Sequence, residues 1–178
     1  CRLQIADCRL ARWGLALLAL MACAAPAGAA DLARNGGFEG GRDAVLAAGW
    51  KLGEGATVEQ GAAAAGEGYL RCRCVKPEAA SDARLPGLAV KPNTGYVARC
   101  RFRAESGGAH YTFGILSPDG SFFVCRDMYV CRTESWDESV LPFRTEKHTS
   151  VTLYAARRYG SSALLFDAVE LVEDDSVR

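Results

Sequence analysis

Several things are scarce in this 178-residue sequence, and each scarcity closes a route. Lysine plus arginine equal aspartate plus glutamate at 21 each, so no global charge draws the chain to nucleic acid or to an anionic membrane. Phosphate-cradling glycine loops and nucleic-acid-binding motifs are missing. His110 and His148 are the only histidines, and neither accompanies a nucleophile at a recognisable spacing such as Gly-x-Ser-x-Gly. No Cys-x-x-Cys pair gives zinc-site spacing. No apolar run reaches the ~20 residues that cross a bilayer as a helix. Aromatic residues are 9% of the chain, and no stretch sustains a helical period for three turns. Internal repeats and linkers are also missing, which leaves one domain.

Residues 1–30 stand apart from the rest. Arg9 and Arg12 precede the apolar run Gly14 to Ala25, and the small residues Ala27-Gly28-Ala29-Ala30 follow. That order is the grammar of a secretory signal peptide cleaved near Ala29 or Ala30. It predicts a secreted or periplasmic protein whose domain is residues 31–178. Leu20-Met21-Ala22-Cys23 offers a second processing route, a lipid anchor at Cys23 and a membrane-anchored lipoprotein. After cleavage Cys72, Cys74, Cys100, Cys125 and Cys131 remain, in a compartment where disulfides form. Cys125 could cross-link to Cys131, and Cys100 to Cys72 or Cys74 on a neighbouring strand.

The dominant pattern is alternation. In Tyr96–Arg103 the residues Tyr96, Ala98, Cys100 and Phe102 take one face, and Val97, Arg99, Arg101 and Arg103 the other. Tyr69–Val75 repeats it, with Leu70, Cys72 and Cys74 inward and Arg71 and Arg73 outward. Further strands are predicted at 50–52, 56–60, 85–90, 111–116, 122–126, 140–144, 151–155 and 163–172. Turn formers such as Lys91-Pro92-Asn93-Thr94-Gly95 and Ser117-Pro118-Asp119-Gly120 separate them. The expectation is an all-β protein, a two-sheet antiparallel β-sandwich, with Glu173–Arg178 as a solvated tail.

Asn35-Gly36-Gly37-Phe38-Glu39, followed by Gly49-Trp50, resembles the opening of the galactose-binding-like jelly-roll carbohydrate-binding modules that accompany cellulases and xylanases. Later landmarks keep the family's order: Gly66 to Leu70, Lys91 to Ala104, Trp136 to Thr145 and Phe166 to Leu171. The resemblance covers about residues 33–172. It implies a jelly roll with a ligand cleft on the outer face of one sheet, no catalytic machinery, and a structural calcium ion held by Glu39 and Asp167. Ala168 stands where relatives often carry a second aspartate.

Sugar sites combine flat rings with polar groups that fix hydroxyls. Tyr69, Tyr129 and Tyr154 are the candidate platforms, while Trp50 and Trp136 match positions that are more often core. Arg71, Arg73, Arg99 and Arg101 point off the core, and if their strands are neighbours they form a basic patch suited to an acidic polysaccharide. The plainer reading of those arginines is a solvated strand face. The leading expectation is a secreted, non-catalytic glycan-binding protein. One alternative is an envelope or extracellular protein-interaction domain. Another is a polysaccharide lyase using His110, Tyr111 and an arginine.

Overall fold

The computed structural model describes residues 30–75, 80–130 and 135–178. The signal-peptide expectation, all but Ala30, falls outside the described residues, as do Cys23 and Cys131. Among the described residues there are ten strands and one short helix. The helix is α1 (Gly41–Ala47), and the first two strands are β1 (Lys51–Leu52) and β2 (Ala56–Gln60). β3 (Gly68–Cys72), β4 (Ser81–Ala89), β5 (Gly95–Ala104) and β6 (Ala109–Leu116) follow. β7 (Phe122–Val130), β8 (Asp137–Arg144), β9 (Ser150–Gly160) and β10 (Leu164–Glu173) complete the set. They pair antiparallel in two five-stranded sheets, a front sheet ordered β1-β4-β9-β6-β7 and a back sheet ordered β2-β3-β10-β5-β8.

The alternation decides what lies between the sheets. Leu85 on β4, Leu153 on β9 and Tyr111, Phe113 and Ile115 on β6 face Leu70 on β3, Phe166 on β10 and Ala98, Cys100 and Phe102 on β5, all buried. Phe102 stacks on Tyr111 with ring centroids 4.1 Å apart, joining the two sheets. The Asn-Gly-Gly-Phe-Glu segment seals one flank. Phe38 is fully buried and packs 5.0 Å from the Trp50 ring, whose indole N–H donates to the Arg34 carbonyl at 2.9 Å.

Three expectations change. The basic strands are not neighbours, because β10 runs between β3 and β5. Cys72 and Cys100 are therefore separate buried thiols rather than a disulfide, and β3 ends at Cys72, so Cys74 is exposed rather than inward. The tail is tied down: the Asp174 N–H donates to the Gly95 carbonyl at 2.9 Å, and Arg144 Nη1 donates to the Val177 carbonyl at 3.2 Å. At the same end of the back sheet the Leu32 N–H donates to the Leu171 carbonyl at 2.9 Å, and Asp31 Oδ1 accepts from the Leu171 N–H at 2.9 Å.

Candidate functional site

The two outer faces differ in what already sits on them. On the back sheet, the turn between β2 and β3 folds over β10. Asp167 points outward beside Arg101, yet it is fully buried, because Oδ2 accepts the Ala64 and Ala65 N–H groups at 2.7 and 2.8 Å. Glu39 clasps the end of the same turn, with Oε1 accepting from the Glu67 and Gly68 N–H groups at 2.9 and 3.0 Å. Burial, and in smaller measure the charge of Glu39, pushes the Asp167 carboxyl above the usual value of 3.8. The two amides hold Glu39 below its ordinary 4.5.

The back-sheet arginines mostly meet carboxylates. Arg71 grips Glu105 through two bonds of 2.9 and 2.7 Å and touches Glu59 at 3.4 Å. Arg101 stands opposite Glu138, and Arg99 opposite Glu170. Arg73 is exposed beyond the end of β3. Tyr69 directs its hydroxyl to Glu59 at 3.4 Å, and Trp136, which the resemblance places in the core, is half-buried under the Arg103 guanidinium at 5.1 Å. A shallow hollow of about 280 Å³ remains between Arg99, Arg101, Glu138 and Glu170.

No described loop is bonded across the front sheet in this way. Its outer face carries Arg84 and Asp82 from β4, Tyr154 and Ala156 from β9, Gly114 and Thr112 from β6, and Cys125 and Asp127 from β7, matched row by row in the strand register. Small residues occupy the middle: a Cβ on Gly114 would lie 2.8 Å from Cys125 Cβ and 2.9 Å from the Phe122 ring. Larger ones flank them; along this face, called the groove below, Tyr154, Thr112 and Ala156 are already buried, and solvent meets Phe122, at 40%, and Arg84. Leu116, Tyr154 and Ala156 form a buried apolar cluster separate from the main core. Phe122 meets Tyr154 edge-on at 5.6 Å, and the Arg84 guanidinium lies 5.2 Å over the Tyr154 ring, held by Asp82 at 2.6 Å. Burial first, and Asp82 next, raise the Tyr154 phenol above 10.0. At the far end His110 stacks on Tyr159 at 4.3 Å and places Nδ1 2.7 Å from Asp127, which also accepts from the Thr112 hydroxyl at 3.1 Å. Tyr129, opposite His110, is 53% exposed.

The structure thus brings Tyr154 and Tyr129 to the front face and leaves Tyr69, Arg71, Arg99 and Arg101 behind. Phe122, Arg84 and Tyr159 were missed by the sequence reading. The alternation of Thr152, Tyr154 and Ala156 against Val151, Leu153 and Ala155 did mark the outward side of β9, but nothing in the sequence says which strands lie beside it. The lyase grouping separates, because His110 faces the groove and Tyr111 the core.

A jelly roll with two five-stranded antiparallel sheets is the fold of the carbohydrate-binding modules. Three solved structures share it with this chain: the xylan-binding module CBM22-1 of Paenibacillus barcinonensis Xyn10C, with a TM-score of 0.61 and 19% identity, covers 82% of this chain and 96% of its own. TmCBM61, solved with β-1,4-galactotriose, gives a TM-score of 0.62 at 12% identity, covering 82% and 99%. An arabinose-bound GH51 α-L-arabinofuranosidase gives 0.65 at 17% identity over 82% of this chain and 27% of the enzyme. In sequence, the chain is 31% identical over 154 residues to Exochitinase 1 of Streptomyces olivaceoviridis, matching 85% of this chain but spanning only 23% of that protein. No protein-family model matches the sequence.

Proposed function

We propose that this domain binds a β-linked glycan chain, without turning it over, in the groove on the outer face of the front sheet. The observation that carries the reading is the exposed Phe122 ring and Arg84 guanidinium, both packed on Tyr154 over the otherwise buried Leu116–Tyr154–Ala156 cluster of the front face. A pyranose ring presents a flat apolar side to the exposed Phe122 ring, while Asp82, Arg84 and Asp127 offer hydrogen bonds to its hydroxyls. The likeness to xylan-binding and galactotriose-bound modules supports the class of ligand, and the exochitinase relative puts N-acetylglucosamine polymers first among the probes. We also place its work outside the cytoplasm, on the signal-like residues 1–30.

The test is affinity electrophoresis through gels holding soluble chitin derivatives, xylan, β-1,4-galactan or polyuronate. Retardation by a neutral β-glycan that Tyr154→Ala abolishes and Arg71→Ala leaves intact is the expected result. Retardation by polyuronate alone, lost in the double variant Arg99→Ala with Arg101→Ala, would move the site to the hollow on the back sheet and revive the acidic-polymer reading. No retardation by any polymer would favour the protein-interaction role.

Calcium forms a second part of the proposal. Glu39 and Asp167 converge on one turn and sense each other's charge, but Asp167 already accepts the Ala64, Ala65 and Ala168 amides. No third carboxylate joins them among the described residues, so the ion would have to draw its remaining ligands from backbone carbonyls and water. Oε2 of Glu39 is the oxygen not occupied by the turn's amides, so it would be the first ligand. Bound there, the ion would lock the turn between β2 and β3 to β10.

A further inference from the structure

Among the described residues, the edge where β7 and β8 face each other is sealed at one end and open at the other. At the sealed end, Phe123 and Phe143 meet across the sheets at 6.1 Å, with Leu141 buried beside them. At the open end the inward positions change character. The register sets Arg126 opposite Phe113 and Met128 opposite Tyr111, both on the core side of the front sheet, and sets Asp137 opposite Phe102 on the core side of the back sheet. Arg126 and Met128 nevertheless stay exposed, Met128 at 45%, because no aliphatic partner on β8 closes over them.

The result is a cleft of about 460 Å³ lined by Phe102, Arg126, Met128, Tyr129, Asp137 and Glu138, with Val130 at its margin. Behind its wall Tyr111 Oη and Ser139 Oγ are fully buried, with each other and Arg126 as polar neighbours and no hydrogen bond of good geometry between them. A core edge of this kind costs stability unless something uses it, since aliphatic residues there would bury more apolar area.

We propose that this edge cleft is a second sugar subsite, distinct from the front groove, that takes one or two residues of a neutral glycan. Arg126 and Glu138, the latter shared with the back-sheet hollow, line it and can hydrogen-bond hydroxyls, and Tyr129, Met128 and Phe102 supply ring and thioether surface for the apolar side of a pyranose. Tyr129 stands at the corner, on the groove face by register and in the lining of the cleft, so a chain lying in the groove can continue over the edge. The ligand class rests on the glycan reading above; the location does not.

The experiment is amide-resolved NMR titration of residues 31–178 with chitotriose, xylotriose and β-1,4-galactotriose in turn, on the natural sequence and on Tyr154→Ala, Glu138→Gln and Arg126→Gln. Resonances of Met128, Tyr129, Val130 and Glu138 are expected to shift with at least one trisaccharide and to go on shifting in Tyr154→Ala. In Glu138→Gln and Arg126→Gln their affinity should fall about tenfold, the size expected when one charged hydrogen-bonding partner is lost. The spectra themselves report whether each variant is folded. Shifts confined to the groove, and abolished by Tyr154→Ala, overturn the edge subsite and leave the groove standing. Edge shifts without groove shifts do the reverse. Shifts nowhere with any of the three overturn both. An extended peptide adding to the free edge of β7 instead would shift the whole run of β7 amides with an unstructured peptide probe and none with sugars, which also overturns the inference.

Discussion

A Cβ on Gly36 would come within 1.8 Å of the Val169 carbonyl oxygen, so the second residue of Asn-Gly-Gly-Phe-Glu is glycine because another strand's backbone occupies the space. The rest of that motif is equally structural. Asn35 bonds the Glu39 backbone in both directions at 2.9 and 2.8 Å, and Phe38 fills the core. Gly36→Ala should lower unfolding free energy by about 2–4 kcal/mol, as overpacking against backbone does, and denaturant titration checks it. Asp167 makes a pH prediction. Its folded pKa lies above 3.8, so its contribution to stability is greatest in acid and declines as pH rises from 3.8 toward the folded value. Natural protein compared with Asp167→Asn in thermal melts should lose ground over that window. Calcium should reverse the trend, raising the melting temperature more at neutral than at acid pH; no effect of calcium or a chelator at neutral pH would sink the cation proposal. The thiols divide as well: burial pushes Cys72 up to about 12 and Cys100 well above 9.0, so only exposed cysteines such as Cys125 should alkylate in the native protein at neutral pH.

At the scale of elements, alternation of side chains was the readable signal and proximity of strands was not. β2 runs over the predicted 56–60, and β5 exceeds its prediction by one residue at each end. β4 begins at Ser81 rather than 85, because its first inward positions are Ser81 and Ala83, small residues that bury without looking apolar enough to announce a strand. β9 was cut short at Ala155 for a related reason: the inward position after it is Arg157, whose Nε reaches the Ser162 carbonyl at 2.9 Å instead of solvent. The site suffered more than the fold. Outward tyrosines were legible one by one, but assigning Tyr69 and Tyr154 to opposite sheets requires the strand order, which depends on contacts far apart in sequence. The tail supplies the prediction at this scale. Deleting residues 174–178 removes the bonds to Gly95 and Arg144, and should cost about 1–2 kcal/mol in chemical unfolding.

For the whole molecule, charge balance extends to the surface. Arg71 with Glu59 and Glu105, Lys91 with Glu173 and Arg84 with Asp82 are paired in place, so the arginine-rich strands present no broad positive field. Binding to the preferred glycan should therefore change less than about twofold between 50 and 500 mM salt, whereas an electrostatic binder would weaken steeply. The bonds joining Asp31 and Leu32 to Leu171 have a further consequence. The polypeptide enters and leaves the sandwich side by side at one end of the back sheet, away from the groove. Residues 31–178 can therefore be spliced into a surface hairpin of an unrelated host without stretching that hairpin, and the host would acquire a groove that still looks outward.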